Sequence, residues 1–150
     1  MFKYYSKEEE KTIKSFNENG YIIFKVENRQ KLNHIKNFFI NEVLKINRKS
    51  FKSDCLNNLH NIIEPKKLNN FRMKLYSKFN KSEFKKIYFE LAKKKLELIC
   101  GNELAMQRKI NLSIQMPKDD SSLLPIHSDV WSGCSPYEVV LWIPLVSVKK

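Results

Sequence analysis

The chain has 150 residues, 42% hydrophobic and 12% aromatic, and a formal net charge of +12. That length and composition suit one folded domain and exclude a disordered tail. No run approaches the roughly 18 apolar residues that a membrane span needs, the opening MFKYYSKEEEK lacks the apolar stretch of a secretory signal, and Cys55, Cys100 and Cys134, widely spaced and with no CxxC, speak against a disulfide framework or structural zinc.

The expected setting is therefore the cytoplasm, with reduced thiols and no membrane partner. Residues 1–100 hold 23 Lys and Arg against 11 Asp and Glu, whereas residues 101–150 hold five of each, so the positive excess lies in the first two thirds. Only four of the 28 cations are Arg. Phosphate readers favour the bidentate Arg fork, so the lysines read as solvated helix faces and no nucleic-acid partner is expected.

In chain order, Ser6-Lys7-Glu8-Glu9 forms a capping box. It opens a helix to about Asn17, with Ile13 and Phe16 inward, and Asn19-Gly20 stops it. Residues 21–26, Tyr-Ile-Ile-Phe-Lys-Val, read as a buried strand. Asn28 caps a second helix carrying Leu32, Ile35, Phe38, Phe39 and Leu44 at close to a 3.6 period. Residues 47–80 are dominated by Lys, Asn and Ser, with a short helical piece near Cys55–Ile63 and a break at Pro65. Ser82 begins a further helix, with Phe84, Ile87, Tyr88, Leu91 and Leu98 on its apolar side and Gly101 as its stop.

After Gly101 the period changes. Met106, Arg108, Ile110, Leu112, Ile114 and Met116 alternate with Gln107, Lys109, Asn111, Ser113 and Gln115, as in a strand with one mainly apolar and one polar face. A turn over residues 117–122 leads to a short strand, Leu123–Asp129. Trp131–Pro136 forms a loop, and residues 137–148 form a last, very apolar strand. Helices followed by antiparallel strands predict an α+β fold, with N-terminal helices packed on a β-sandwich or jelly roll.

The chemistry concentrates in His127-Ser128-Asp129. Residues i and i+2 of a strand point the same way, so His127 and Asp129 are expected to aim together into an enclosed polar hollow. An imidazole and a carboxylate are two of the three groups in the facial triad of non-haem iron(II) oxygenases. An HxD alone is weakly specific, and the bland alternative is a surface His beside a solvated Asp.

The surrounding residues narrow the choice. Residues 122–146, SLLPIHSDVWSGCSPYEVVLWIPLV, resemble the phytanoyl-CoA dioxygenase-like superfamily, most closely its bacterial sporadic carbohydrate cluster 2-oxoglutarate/iron(II) oxygenases. The shared features are HxD followed by Trp131-Ser132-Gly133, then Ser135-Pro136-Tyr137-Glu138, then an apolar segment with Trp142 and Pro144. Phe16-Asn17-Glu18-Asn19-Gly20-Tyr21 is similar to the opening of the same superfamily.

The resemblance implies an incomplete double-stranded β-helix of cupin type, with iron(II) and 2-oxoglutarate as cofactor and co-substrate. His127 and Asp129 would be metal ligands. Gln107 and Asn111 resemble the Gln-x-x-x-Asn that helps hold 2-oxoglutarate, and Ser113 and Gln115 share that polar face as cofactor contacts. Its alternative is a solvent-exposed sheet face. Trp131 and Cys134 would lie near the substrate, a small molecule such as a carbohydrate or polysaccharide precursor, although close relatives are expected to have an acidic residue where Cys134 stands.

A third histidine ligand and a late cation for 2-oxoglutarate are also expected, yet only Lys149 and Lys150 supply cations after Asp129. His34 and His60 fall in predicted helices, as a surface residue and a packing or capping residue. The expected organisation is one domain over 1–150: residues 1–101 mainly helical with one strand at 21–26, residues 104–150 the first jelly-roll strands, and the whole an N-terminal fragment inactive alone. Two other readings remain at this stage, a non-catalytic jelly-roll or cupin-like binding protein and a basic nucleic-acid-binding module.

Overall fold

The computed structural model describes residues 4–46, 54–120 and 125–148. Its regular elements are α1 (Lys7–Asn19), α2 (Arg29–Leu44), α3 (Pro65–Phe79), α4 (Ser82–Glu90) and α5 (Lys93–Cys100), with 3-10 turns at Leu59–Asn61 and Asp129–Ser132. Helix takes 51% of the described residues, and no strand occurs among them. The expected fold, helices on an incomplete double-stranded β-helix, is therefore overturned.

The first two helices begin where the sequence places them. The Ser6 hydroxyl accepts from the Glu9 N–H while the Glu9 carboxylate accepts from the Ser6 N–H, and Gly20 closes α1 at φ 75°. The Asn28 side chain accepts from the Lys31 N–H at 3.0 Å and starts α2. Pro65 opens α3 instead of marking a break: the first helical position needs no N–H donor, and proline fixes the right φ there. Residues 54–63 are turns with one 3-10 piece. The helix expected from Ser82 to Gly101 divides at Leu91-Ala92, both buried, where Ala92 takes φ −129°, ψ 2°.

The core is helical. Ile35, Phe39 and Val43 of α2 meet Leu68, Phe71, Leu75 and Phe79 of α3 and Phe84 of α4, and Cys55, Leu59 and Ile63 fill in beneath. Phe79 sits at the centre of an aromatic cluster, its ring 5.0 Å from Phe39, 5.2 Å from Phe84 and 6.0 Å from Phe38. Glu42 of α2 accepts from Lys45 and from Lys78 of α3, tying the two helices at the rim. α2 packs beside α4, and α1 beside α5.

Three segments expected as strands (21–26, 106–116 and 137–148) form no ladder, and the last two are interrupted by bends at 108–109 and 145–146. The alternation is still present in their burial. Ile22, Phe24 and Val26 are half-buried where Tyr21, Ile23 and Lys25 are exposed; Ile110 and Met116 are buried with Leu112 and Ile114 half-buried; Val139, Leu141, Ile143 and Leu145 alternate with exposed neighbours. Val26, Leu112, Ile114, Ile143 and Leu145 pack on the helical core. Period 2 thus decides which side chains face inward. A ladder also needs a second backbone about 4.8 Å away, and these segments lie against helices instead.

Side chains stand in for that second backbone at two points. Asn80, just after α3, takes the Ile110 N–H on its Oδ1 at 2.6 Å and donates Nδ2 to the Ile110 carbonyl at 3.0 Å. The Tyr88 hydroxyl of α4 donates to the Leu141 carbonyl, and burial pushes its pKa up to about 12. The expected turn after Met116 forms as well. The Asp119 N–H bonds the Met116 carbonyl at 3.3 Å, with Pro117 at the second position and Lys118 at φ 61° at the third, the arrangement of a type II turn. Residues 121–122 of that turn, and 123–124 of the strand expected over 123–129, lie outside the described residues.

Candidate metal centre

The local backbone brings His127 and Asp129 together without a sheet. Ser128 between them is extended, at φ −119° and ψ 133°, so its neighbours emerge on one side. Asp129 then opens a 3-10 turn, closed by Trp131 N–H to Ser128 carbonyl at 2.9 Å and Gly133 N–H to Val130 carbonyl at 3.0 Å, with Gly133 at φ 89°. The Cys134 N–H returns to the Asp129 carbonyl at 3.2 Å. The expected strand ending at Asp129 is therefore replaced, over its described part, by an extended residue entering a tight turn.

His127 Nε2 lies 3.5 Å from Asp129 Oδ1. The other ring nitrogen, Nδ1, sits 2.7 Å from the Pro125 carbonyl. A carbonyl can only accept, so Nδ1 carries the proton, and in the neutral ring Nε2 is left with its lone pair facing Asp129. This is the arrangement in which metal-bound histidines are usually held, with the far N–H on a backbone carbonyl.

The separation has a clear physical reading. Two ligands on one ion at bond lengths of about 2.1 Å stand about 3.0 Å apart at 90° and about 3.4 Å apart at the tetrahedral angle. A direct N–H···O bond would bring the atoms to about 2.7–3.2 Å. At 3.5 Å the pair is wide for a hydrogen bond and within about half an ångström of chelating distance. With the imidazole protonated, the same contact is an exposed ion pair worth about 0–1 kcal/mol.

The expected enclosure is absent. The His127 and Asp129 side chains are 42% and 54% exposed, on a loop open to water. Among the described residues, no group of three or more His, Cys, Asp or Glu gathers to hold a metal. The donor set therefore fits iron(II) at two positions and supplies no third. His34 is not a further ligand: it pairs with Glu83 at 3.1 Å and stacks on Phe84. His60, expected to pack or cap, is exposed.

The remaining candidates lie around this loop or apart from it. Trp131 is in the 3-10 turn and 78% exposed. Cys134 is half-buried, and desolvation, with the charges of Glu138 and Asp129 beside it, pushes its thiol up. Gln107, Asn111, Ser113 and Gln115 are all exposed. Asn111 lines an open groove of about 200 Å³ with Arg72, Met73, Tyr76 and Leu112, and Lys109 stands over the Tyr76 ring at 5.7 Å. Neither His127 nor Asp129 belongs to that groove, and among the described residues no hydrogen bond joins the four polar residues to the pair. Pro125, which orients His127, was not singled out by the sequence. Its position two residues before the histidine was the available sign.

Comparison with protein-family models, with curated proteins and with solved structures finds no match to this chain. No helix is long and apolar enough to cross a membrane among the described residues.

Proposed function

We propose that His127 and Asp129 are two ligands of a non-haem iron(II) centre, and that its chemistry is that of a 2-oxoglutarate-dependent oxygenase acting on a small molecule of the carbohydrate or polysaccharide-precursor class. The observation that supports this most is the pair itself: the His127 Nε2, on a ring whose Nδ1 meets the Pro125 carbonyl, facing a carboxylate oxygen 3.5 Å away. The resemblance of residues 122–146 supplies the reaction class, and fold plays no part in the reading.

Iron(II) with 2-oxoglutarate would supply oxidative attack on an unactivated C–H bond. The chain's own residues would do more limited work. His127 and Asp129 donate one nitrogen and one oxygen, Pro125 keeps the imidazole in the ligating tautomer, and the 129–134 turn holds the carboxylate beside it. Trp131 offers an apolar ring face at the loop's edge, on which a sugar or other ring could lie. Gln107, Asn111, Ser113 and Gln115 are exposed and, among the described residues, share no hydrogen bond with the pair, so they are assigned no part in holding the co-substrate. Two ligands on an open loop bind a divalent ion weakly, so turnover by this chain alone should be negligible.

The test is an anaerobic iron(II) titration, followed by addition of 2-oxoglutarate and observation of the visible charge-transfer band of an iron-chelated 2-oxo acid. Weak binding is expected that disappears in both His127→Ala and Asp129→Ala and persists in His34→Ala. Affinity should also fall as the solution is acidified, because the ligating imidazole must be unprotonated. Iron affinity unchanged by His127→Ala removes the metal reading. Iron binding with no 2-oxoglutarate band removes the oxygenase reading and leaves a metal-binding loop.

A further inference from the structure

The groove between α3 and residues 109–112 has features that the iron reading does not use. Arg72, Met73 and Tyr76 of α3 form one wall, and Asn111 and Leu112 form the other, around an open volume of about 200 Å³. Lys109 stands over the Tyr76 ring, 5.7 Å from its centre. The two walls are tied together. Asn80, just after α3, holds both the N–H and the carbonyl of Ile110, and the Ile110 side chain is buried in the core. The groove is therefore set by the fold and not by two loose surfaces.

Charge separates this place from the rest of the basic surface. Residues 65–82 carry six Lys and Arg with no Asp or Glu, and residues 104–118 carry three with none. Elsewhere cations face carboxylates: Lys31 meets Glu90, and Lys94 meets Glu27. Arg72 instead donates to Asn69 Oδ1 at 2.8 Å, a neutral acceptor that orients the guanidinium without discharging it. Among the described residues neither Arg72 nor Lys109 forms an ion pair with a carboxylate. An uncompensated guanidinium and an uncompensated ammonium thus flank one partly apolar groove.

We propose that this groove binds a small phosphate monoester of the sugar-phosphate class. Such a group carries a charge of about −1.5 to −2 near neutral pH, which a pair of cations balances. Arg offers it a planar fork and Lys a mobile point charge. Met73, Tyr76 and Leu112 give an apolar wall for the C–H face of a ring, and the Asn111 amide can both donate to and accept from ring hydroxyls. The volume lies below the roughly 300–1,000 Å³ of pockets for drug-sized ligands, so one ring with its phosphate fits and a nucleotide does not. Neither His127 nor Asp129 lines the groove, and the site does not rest on the iron reading.

Isothermal titration calorimetry of the full chain, without metal, tests this with glucose 6-phosphate as the probe. One-site binding is expected, weaker at about 300 mM salt than at about 50 mM because both partners are charged. Glucose should not bind, and inorganic phosphate should bind more weakly than the sugar phosphate. Arg72→Gln and Lys109→Gln should each weaken binding by about tenfold or more, with thermal melts like the parent's, since Lys109 is exposed and Arg72 lies at the surface of α3. Lys11→Gln removes the same charge from an exposed position of α1 and should bind as the parent does. No saturation with up to about 10 mM probe, full affinity in both groove variants, or equal loss in Lys11→Gln overturns the proposal. So does inorganic phosphate bound as tightly as the sugar phosphate. Tighter binding of a single-stranded oligonucleotide, lost in the Arg72 and Lys109 variants, overturns it in favour of a nucleic-acid surface.

Discussion

Tyr88 shows how much a single hydroxyl can hold. Its ring packs against the core and its proton goes to the Leu141 carbonyl, so the ionised form is disfavoured by burial and the pKa rises from 10 to about 12. A phenol whose folded pKa exceeds its unfolded one contributes stability that is present below pH 10 and is lost as the pH climbs from 10 towards 12. Tyr88→Phe removes the bond and the titration together. Near pH 7 the variant should unfold about 1 kcal/mol more easily than the parent. In urea melts at rising pH the gap should narrow above pH 10. A gap that stays constant to pH 11.5 would mean that folding leaves the hydroxyl's pKa where it is in the unfolded chain. The sequence placed Tyr88 on an apolar helix face but gave no sign of its acceptor, 53 residues away.

At the scale of elements, helices announced by local chemistry were legible and those needing context were not. The Ser6–Glu9 box, Gly20 and Asn28 each act within four residues, and all three stand where expected. α3 was obscured because Pro65 sits at a position where proline starts a helix as readily as it stops one. The pattern of Leu68, Phe71, Leu75 and Phe79 was nevertheless in the sequence, at spacings of three and four, diluted by Lys and Asn. That helix supplies the deepest aromatic contact. Phe79 is 3% exposed, so Phe79→Ala should lose about 3–5 kcal/mol in denaturant unfolding. Phe38→Ala, at a half-buried ring of the same cluster, should lose clearly less. Equal losses would show that the cluster does not centre on Phe79.

For the whole molecule, the hydrophobic pattern told which side chains turn inward but not what the backbone bonds to. Alternation from 110 to 116 and from 139 to 146 is as visible in burial as in sequence, yet the partners that satisfy these segments are side chains of Asn80 and Tyr88, which no period encodes. The His127–Asp129 pair divides in the same way. The i, i+2 spacing was enough to bring His127 and Asp129 together, because it depends on one extended residue, whereas enclosure depends on distant chain and was not legible.

This difference between facing and bonding can be measured by amide hydrogen exchange at low micromolar protein. Amides in the middle of α2 and α3 should exchange slowest, since they are hydrogen-bonded and lie beside the buried core. Residues 21–26 and 139–143 should exchange within the fast class despite their apolar sequence, because they have no ladder. Ile110 should be the protected exception in its segment, through Asn80 Oδ1, and Asn80→Ala should release it while leaving the helices protected. Slow exchange across all three extended segments at low concentration would instead indicate a sheet, and would restore the architecture that the alternation suggested.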